Sequence, residues 1–268
     1  MQAEYSPLKK IGVEKCQGNA CVSAMDTVAE EVPVALVYNS MSHVVMLATP
    51  QNLQEFALGF SLSEGILQHP DELLDCFVTH VDEGIHIDLH IGEARFAALK
   101  EQRRNLIGRT GCGLCGAETL QQVGREIKPV NSQARFTPAQ IYAGFAQMQL
   151  QQEIQQQTGA THAAGWLDAT GKVEIVREDV GRHNSLDKLL GALVKSGQDL
   201  SAGGILITSR ASYEMVQKTA SAGVGLLAAI SAPTGLAVRL AEQTQLTLLG
   251  FVRPQSHVAY AHSFRITI

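Results

Sequence analysis

Cys112 and Cys115 stand three positions apart in the stretch Arg109-Thr110-Gly111-Cys112-Gly113-Leu114-Cys115-Gly116. Glycine flanks both thiols, so the segment packs no core and presents sulfur on a compliant backbone. Three chemistries suit such a pair: metal binding, thiol exchange and sulfur carriage. A thiolate is the reactive form, and neighbouring positive charge or converging backbone N–H groups favour it. Arg109 stands three residues before Cys112, with Arg103 and Arg104 further back in what reads as a basic, glycine-bearing loop from Arg103 to Gly116. Arg109 is thus a candidate for keeping Cys112 ionised. A structural zinc site is the competing reading, but zinc takes four ligands and the sequence holds no second Cys-x-x-Cys. A plain surface loop is the third.

Two further constellations lie downstream. Thr158-Gly159-Ala160-Thr161-His162-Ala163-Ala164-Gly165 looks like the Thr-His-Ala-Glu segment of zinc-dependent nucleoside deaminases. Ala164 takes the place of their glutamate and no cysteine follows Cys115, so deaminase chemistry is missing. His162 then reads either as a ligand-binding group or as a satisfied core histidine. Arg177 to Lys188 reads as a strand end, a glycine turn and a helix start, and such helix N-termini hold anions. Arg182, His183 and Asn184 would add charged and polar contacts there, while Asp179 alone would be explained as a helix cap. Thr208-Ser209-Arg210-Ala211-Ser212-Tyr213-Glu214 forms a second strand-to-helix junction. Two such junctions in one sheet share a crevice, the usual ligand position in α/β folds, and imply an anionic, phosphate-bearing ligand. Arg210 reads equally as a surface charge.

The elements that must position these groups are legible as patterns. Val32–Tyr38 and His43–Ala48 read as strands joined at Asn39-Ser40. Asn52–Leu67 has helical spacing, ended by His69-Pro70. Ile85, Ile87, Leu89 and Ile91 alternate with His86, Asp88 and His90, a half-buried strand whose histidines read as a solvated face rather than ligands. Cys76, in the apolar run Leu73–Val78, reads as a buried small hydrophobe. A short helix over Ala117–Glu126 and a polar linker over Lys128–Thr137 place a domain boundary near residue 130, giving domains 1–130 and 131–268. Pro138–Gln157 reads as one helix with Ile141, Phe145, Met148 and Ile154 inward and its glutamines in solvent.

Beyond it, His162–Leu167 and Lys172–Arg177 flank a turn, and Gly181–Lys195 is a helix. Gly203–Ser209, Val224–Ile230, Leu246–Val252 and Ala259–Ile266 read as strands. Ser212–Ala222 reads as a helix with a Glu214–Lys218 pair one turn apart, and another helix opens at Pro233. The expected fold is α/β: a mixed α+β N-terminal part and a three-layer, largely parallel C-terminal domain.

Composition excludes several classes. Of 268 residues, 45% are hydrophobic and 18% charged, as in an ordinary folded protein. A net charge of −5 argues against nonspecific nucleic-acid binding. The most apolar window, Ala222–Ala232, is too short to span a bilayer, and the first 30 residues carry no continuous apolar stretch. No membrane association and a cytoplasmic location are therefore expected. The five cysteines are Cys16, Cys21, Cys76, Cys112 and Cys115, and the odd count does not suggest a disulfide framework.

In combination these segments resemble the FdhD family of sulfur carriers required for formate dehydrogenase activity. Glu31-Val32-Pro33, Asn39, Thr49-Pro50, Leu58-Gly59-Phe60 and Glu64-Gly65-Ile66 are similar to its N-terminal part, and Arg109–Gly116 to its signature loop. Thr161–Ala164, Asp179–Asn184, Asp187-Lys188 and Pro233-Thr234 are similar to its C-terminal blocks. The resemblance implies that Cys112 accepts sulfur from a cysteine desulfurase as a persulfide, assisted by Cys115. The sulfur then passes to the molybdenum bis(pterin guanine dinucleotide) cofactor before insertion into formate dehydrogenase. It implies a sulfurtransferase that forms a homodimer, has a cytidine-deaminase-like C-terminal domain and binds that cofactor as substrate with no permanent cofactor of its own. The cofactor-binding block would be Phe251, Val252, Arg253, Pro254, Gln255 and Ser256, beside His162, Arg182, His183, Asn184 and Arg210. Ser256, Val258 and Ser209 stand where family members often carry arginine, asparagine and glycine. The rival from another class is a zinc-stabilised nucleotide-binding module without catalysis.

Overall fold

The computed structural model describes residues 5–107 and 127–267, with side chains described for 5–101 and 127–267. Cys112, Cys115, Arg109 and the helix expected over Ala117–Glu126 lie outside the described residues.

The chain opens with a two-stranded antiparallel ribbon, β1 (Leu8–Gln17) and β2 (Ala20–Ala29). The elements expected from sequence begin only at Val32. The signal was present: Gly18-Asn19 is a two-residue hairpin turn, with Gly18 at φ +59°. Cys16 and Cys21 face each other across the ribbon and form a disulfide, against the expectation from the odd count. A cross-strand pair brings two cysteines together irrespective of how many others the chain holds.

A four-stranded sheet follows, ordered β4-β3-β6-β5, from β3 (Val32–Tyr38), β4 (Met41–Ala48), β5 (Leu73–Val81) and β6 (Gly84–Ile91). Val34, Leu36, Tyr38, Ile85, Ile87 and Leu89 share its inner face, where alternation puts them. His86 and His90 lie on the exposed face, as expected. Helix α1 (Leu53–Ser63) covers the inner face through Leu53, Phe56, Ala57 and Phe60, ending sooner than the expected Leu67. Cys76 is half-buried on β5, and burial raises its thiol pKa. Helix α2 (Glu93–Ile107) takes residues 103–107 into helix, where a loop was expected.

The C-terminal half is a six-stranded sheet ordered β12-β11-β10-β9-β7-β8. Its strands are β7 (His162–Leu167), β8 (Val173–Asp179), β9 (Gly204–Ile207), β10 (Leu226–Ala229), β11 (Thr247–Arg253) and β12 (Ser256–Ala261). Only β9, β10 and β11 run parallel; β7, β8 and β12 pair antiparallel, which corrects the largely parallel expectation. Short hairpins at both margins cannot make parallel crossovers. The expected last strand, Ala259–Ile266, is instead β12 followed by a 3-10 turn at Ser263–Arg265.

One face of the sheet carries α3 (Pro138–Leu150) and α4 (Glu153–Thr158). These were read as one helix. The buried carboxylate of Glu178 accepts the N–H groups of Ile154 at 3.0 Å and Gln155 at 2.8 Å, starting a new helix after Gln152. The opposite face carries α5 (Arg182–Lys195), α6 (Tyr213–Ser221) and α7 (Gly235–Gln243), whose N-cap Thr234 accepts the N–H of Ala237. The segment expected as a solvated linker is anchored. Val130 and Phe136 are buried, and Ser132 Oγ donates to Ser201 O at 2.6 Å. Its apolar residues supply the reason: they fill the rim of the C-terminal core.

The two sheets meet through α1 and α5, whose backbones touch. A Cβ added at Gly59 would collide with the Asp187 carbonyl, and one at Gly191 with the Glu55 carbonyl. Glycine on both helices at the crossing is what lets them approach so closely.

Candidate functional site

One margin of the six-stranded sheet gathers most of the candidate residues. β9 and β10 end there at Ile207 and Ala229, and β11 ends at Arg253. β7 runs the other way, so its first residue, His162, sits opposite Asp179, the last residue of β8. Arg182 follows at once as the first residue of α5. Topology alone therefore brings His162, Arg182, His183, Arg210 and the block Phe251–Ser256 to one sheet edge, where ligands of α/β folds bind.

The loops of this edge are stitched by backbone hydrogen bonds. Ala211 N–H donates to Ala232 O at 3.2 Å, and Thr234 N–H to Ala211 O at 3.1 Å. Phe251 N–H donates to Ser231 O at 3.2 Å, and the Arg253 guanidinium donates to Ile230 O at 2.6 Å. Thr208 Oγ1 accepts the N–H of Ala163 at 2.9 Å, fixing the start of β7 beside the end of β9. Phe251 takes φ +51° at an irregularity in the β11–β12 pairing and is 44% exposed. A bulky residue in that region is an outlier that the surrounding structure must impose. Val252, by contrast, is buried against the sheet core, so of the block it is a packing residue. Pro254, Gln255 and Ser256 form the exposed tip.

The block from Asp179 to Lys188 divides in two. Asn184, Asp187 and Lys188 lie at i, i+3, i+4 spacing on one face of α5 and point inward, towards the N-terminal half. Asp179 is not a helix cap; Gly181 takes that place. The Asp179 carboxylate is fully buried and accepts the N–H groups of Thr49 at 3.0 Å and Gly181 at 2.7 Å, and the Asn184 amide at 3.0 Å. It pairs with Lys188 Nζ at 2.7 Å, and Lys188 also donates to Thr49 O at 2.9 Å. The Asn184 amide further donates to Leu47 O at 2.8 Å, so its side chain is committed to joining the halves.

Lys218 was read as the partner of Glu214. It instead points inward, donating to Ser63 Oγ at 2.8 Å and Glu64 Oε1 at 2.7 Å and pairing with Asp187 at 2.9 Å. Burial alone would lower its pKa, but the Asp187 and Glu64 carboxylates outweigh that and raise it. The bidentate Arg177–Glu55 pair, at 2.6 and 2.9 Å, is a further tie across the same junction. Sequence spacing carries no sign of this clamp, because Lys218 and Asp187 stand 31 residues apart and the partners that cross the junction 122 to 155 residues apart.

Arg182 and His183 remain directed at the edge. Arg182 Nε and His183 Nε2 are two of the three buried side-chain polar atoms without a hydrogen-bond partner among the described residues. An orphaned buried donor or acceptor costs about 1–3 kcal/mol, so a pair of them on one helix turn makes this turn a candidate site. The N-cap of α5 is Gly181, and no described side chain caps its first-turn N–H groups, the arrangement at which helix termini hold anions. Burial, and then the Arg182 charge, push the His183 pKa down to about 4. Glu214 opposes this weakly; its carboxylate, held by Ser212 Oγ at 2.8 Å, lies 3.8 Å from His183 Nε2. Burial, followed by Arg182, also lowers the His162 pKa, which places both rings in the field of one guanidinium.

His183 is thus neutral near pH 7. Its folded pKa lies below the ordinary value of 6.5, so the unfolded chain binds more protons between those limits. The stability it contributes is present above pH 6.5 and is lost as pH falls towards 4. An NMR titration of the His183 imidazole is expected to show a midpoint about 4, and a midpoint near 6.5 would contradict the burial described.

The fold is thus an α/β assembly of a four-stranded and a six-stranded sheet, with an anion-ready helix terminus at the edge of the larger one. The family model of the FdhD/NarQ family matches residues 29–267, and the chain belongs to that family. It is 61% identical over 241 residues to a sulfur carrier protein FdhD of Cupriavidus necator, covering 90% of this chain and 84% of that protein. It is 50% identical to one of Bordetella petrii, with 91% and 87% covered, and 48% identical to one of Xanthomonas campestris pv. campestris, with 96% and 91% covered. A crystal structure of a protein assigned as a formate dehydrogenase accessory protein, from Desulfotalea psychrophila, superimposes with a TM-score of 0.79 at 20% identity, covering 97% and 99% of the two chains. That likeness shows the α/β fold. No described helix is long and apolar enough to cross a membrane.

Proposed function

We propose that the protein is a persulfide-based sulfurtransferase that serves formate dehydrogenase. Cys112 thiolate attacks the terminal sulfur of a cysteine desulfurase persulfide; the desulfurase sulfur–sulfur bond breaks and its cysteine leaves as thiolate. Cys115 thiolate then attacks the Cys112 sulfur, the persulfide sulfur–sulfur bond breaks, the two cysteines end as a disulfide, and the outer sulfur leaves as sulfide to the molybdenum bis(pterin guanine dinucleotide) cofactor, which is bound as substrate before insertion into the dehydrogenase. Belonging to a family whose relatives are named sulfur carriers supports this reading.

The structural observation that carries the substrate half is the uncapped start of α5 with the orphaned Arg182 Nε and His183 Nε2. Phosphates of a guanine dinucleotide would meet free N–H groups, a guanidinium and a neutral imidazole there. His162, Arg210 and the exposed residues of the Phe251–Ser256 block border the same edge and would hold the remainder; Asn184 would act by fixing the helix. The cytidine-deaminase-like fold of the C-terminal domain, the homodimer and the cytoplasmic location belong to the same proposal.

The test is mass spectrometry after incubation with a cysteine desulfurase and cysteine. The Cys112–Cys115 peptide is expected to gain one sulfur, removable by a thiol reductant, and Cys112→Ala is expected to gain none. Tightly held zinc in place of that gain would favour the zinc-stabilised module instead.

A further inference from the structure

We propose that Cys16 and Cys21 form a second sulfur centre, a reversible thiol–disulfide exchange site whose substrates are low-molecular-weight or protein dithiols and disulfides. The ribbon that carries them lies ahead of residues 29–267, apart from Ala29, so nothing in the family match assigns it a role.

Three observations carry the inference. First, Cys16 and Cys21 are exposed, one register step from the Gly18-Asn19 tip, where an incoming thiolate meets no covering element. Second, the bond closes a ring with only four residues between its ends, so it restrains the unfolded chain less than a long-range disulfide does. Third, nine paired positions besides Cys16↔Cys21, from Leu8↔Ala29 to Gln17↔Ala20, run along the ribbon. A bond that is accessible and dispensable to its own scaffold is free to cycle. Disulfides exposed to a glutathione-buffered compartment are the labile, exchanging ones. Cys76 offers a contrast in the same chain: it is half-buried on β5, and burial keeps its thiol protonated.

The exchange balances. A thiolate of a dithiol reductant attacks Cys16 or Cys21, the Cys16–Cys21 bond breaks, and the other ribbon cysteine leaves as thiolate. The reductant's second thiol resolves the mixed disulfide. Two electrons and two protons enter the ribbon, and the reductant ends as a disulfide; glutathione disulfide drives the reverse.

The experiment uses the full-length chain carrying Cys112→Ala and Cys115→Ala, so that its outcome is independent of the carrier reading. The protein is equilibrated in mixtures of reduced and oxidised glutathione, alkylated and analysed by peptide mass spectrometry. Alkylation of Cys16 and Cys21 is expected to change by about ten-fold or more across the series, with Cys76 unchanged. In Cys21→Ser, a glutathione adduct is expected on Cys16. A cystine that survives millimolar dithiol while the protein stays folded would show a purely structural bond and overturn the proposal. Two free thiols at every ratio would overturn it equally.

Discussion

Gly191→Val is expected to leave the protein without a stable folded state. Gly191 lies on α5 where that helix meets α1, and an added Cβ would fall within 2.7 Å of the Glu55 carbonyl carbon and 2.9 Å of its Cα. Both obstacles are backbone, so no side chain can swing aside. The milder Gly191→Ala separates packing from propensity. Alanine gains about 1 kcal/mol of helix propensity over glycine, yet overpacking a close crossing typically costs about 1–3 kcal/mol and more where nothing yields. Gly191→Ala is therefore expected to lower stability by roughly 2 kcal/mol in urea unfolding, and Gly59→Ala to behave alike from the facing helix. A wild-type midpoint for Gly191→Ala would show that the helices do not touch. The functional consequence is direct, because α5 carries Arg182 and His183 at its start.

Lys188→Met is expected to destabilise the fold by about 3–5 kcal/mol, the cost of stranding a buried charge. Methionine fills much of the lysine's volume but leaves the Asp179 carboxylate, fully buried, without its cation. It also removes the donor to Thr49 O. Chemical denaturation with circular dichroism reads the loss. The double variant Asp179→Asn/Lys188→Met is expected to recover part of it, since removing both charges removes the uncompensated one. Equal stability of the single and double variants would mean that the ion pair is not what matters. Because Asp179 ends β8 opposite His162 and holds the Gly181 N–H, the nucleotide binding proposed for the sheet edge is expected to weaken in the single variant even where it remains folded.

Neither prediction concerns residues whose packing role is visible in the sequence. Gly59 was legible only as part of the family-like Leu58-Gly59-Phe60, and Gly191 carried no signal. Asp187 and Lys188 sat in a block read as a ligand site. The helical pattern itself was right: α5 runs from Arg182 to Lys195, against an expected Gly181–Lys195. What the pattern could not supply was the partner. Thr49 and Ser63, which meet this block, and Ser63 and Glu64, which meet Lys218, stand 124 to 155 residues away along the chain in hydrogen bonds such as Ser63–Asp187 and Lys218–Ser63. A side chain's separation along one helix says which face it occupies, but not whether that face meets solvent, a ligand or another helix.

The sequence by itself determined the periodic elements, the α/β class, the solvated His86 and His90 and the set of residues able to do chemistry. These follow from local physics: alternation, helical spacing, glycine turns and the types of side chain present. It also carried the family resemblance that the family model bears out. Tertiary structure alone decided which polar residues face the sheet edge and which clamp the two halves. It turned Lys218 from Glu214 towards Asp187 and committed Asn184 and Val252 to packing. It left Arg182 Nε and His183 Nε2 buried without hydrogen-bond partners among the described residues and paired Cys16 with Cys21 across a ribbon. The physical reason is common to all of these. Burial and partnership are properties of groups brought together through space, and the energy of a charge or thiol is set by what lies within a few ångströms of it rather than by its neighbours in sequence.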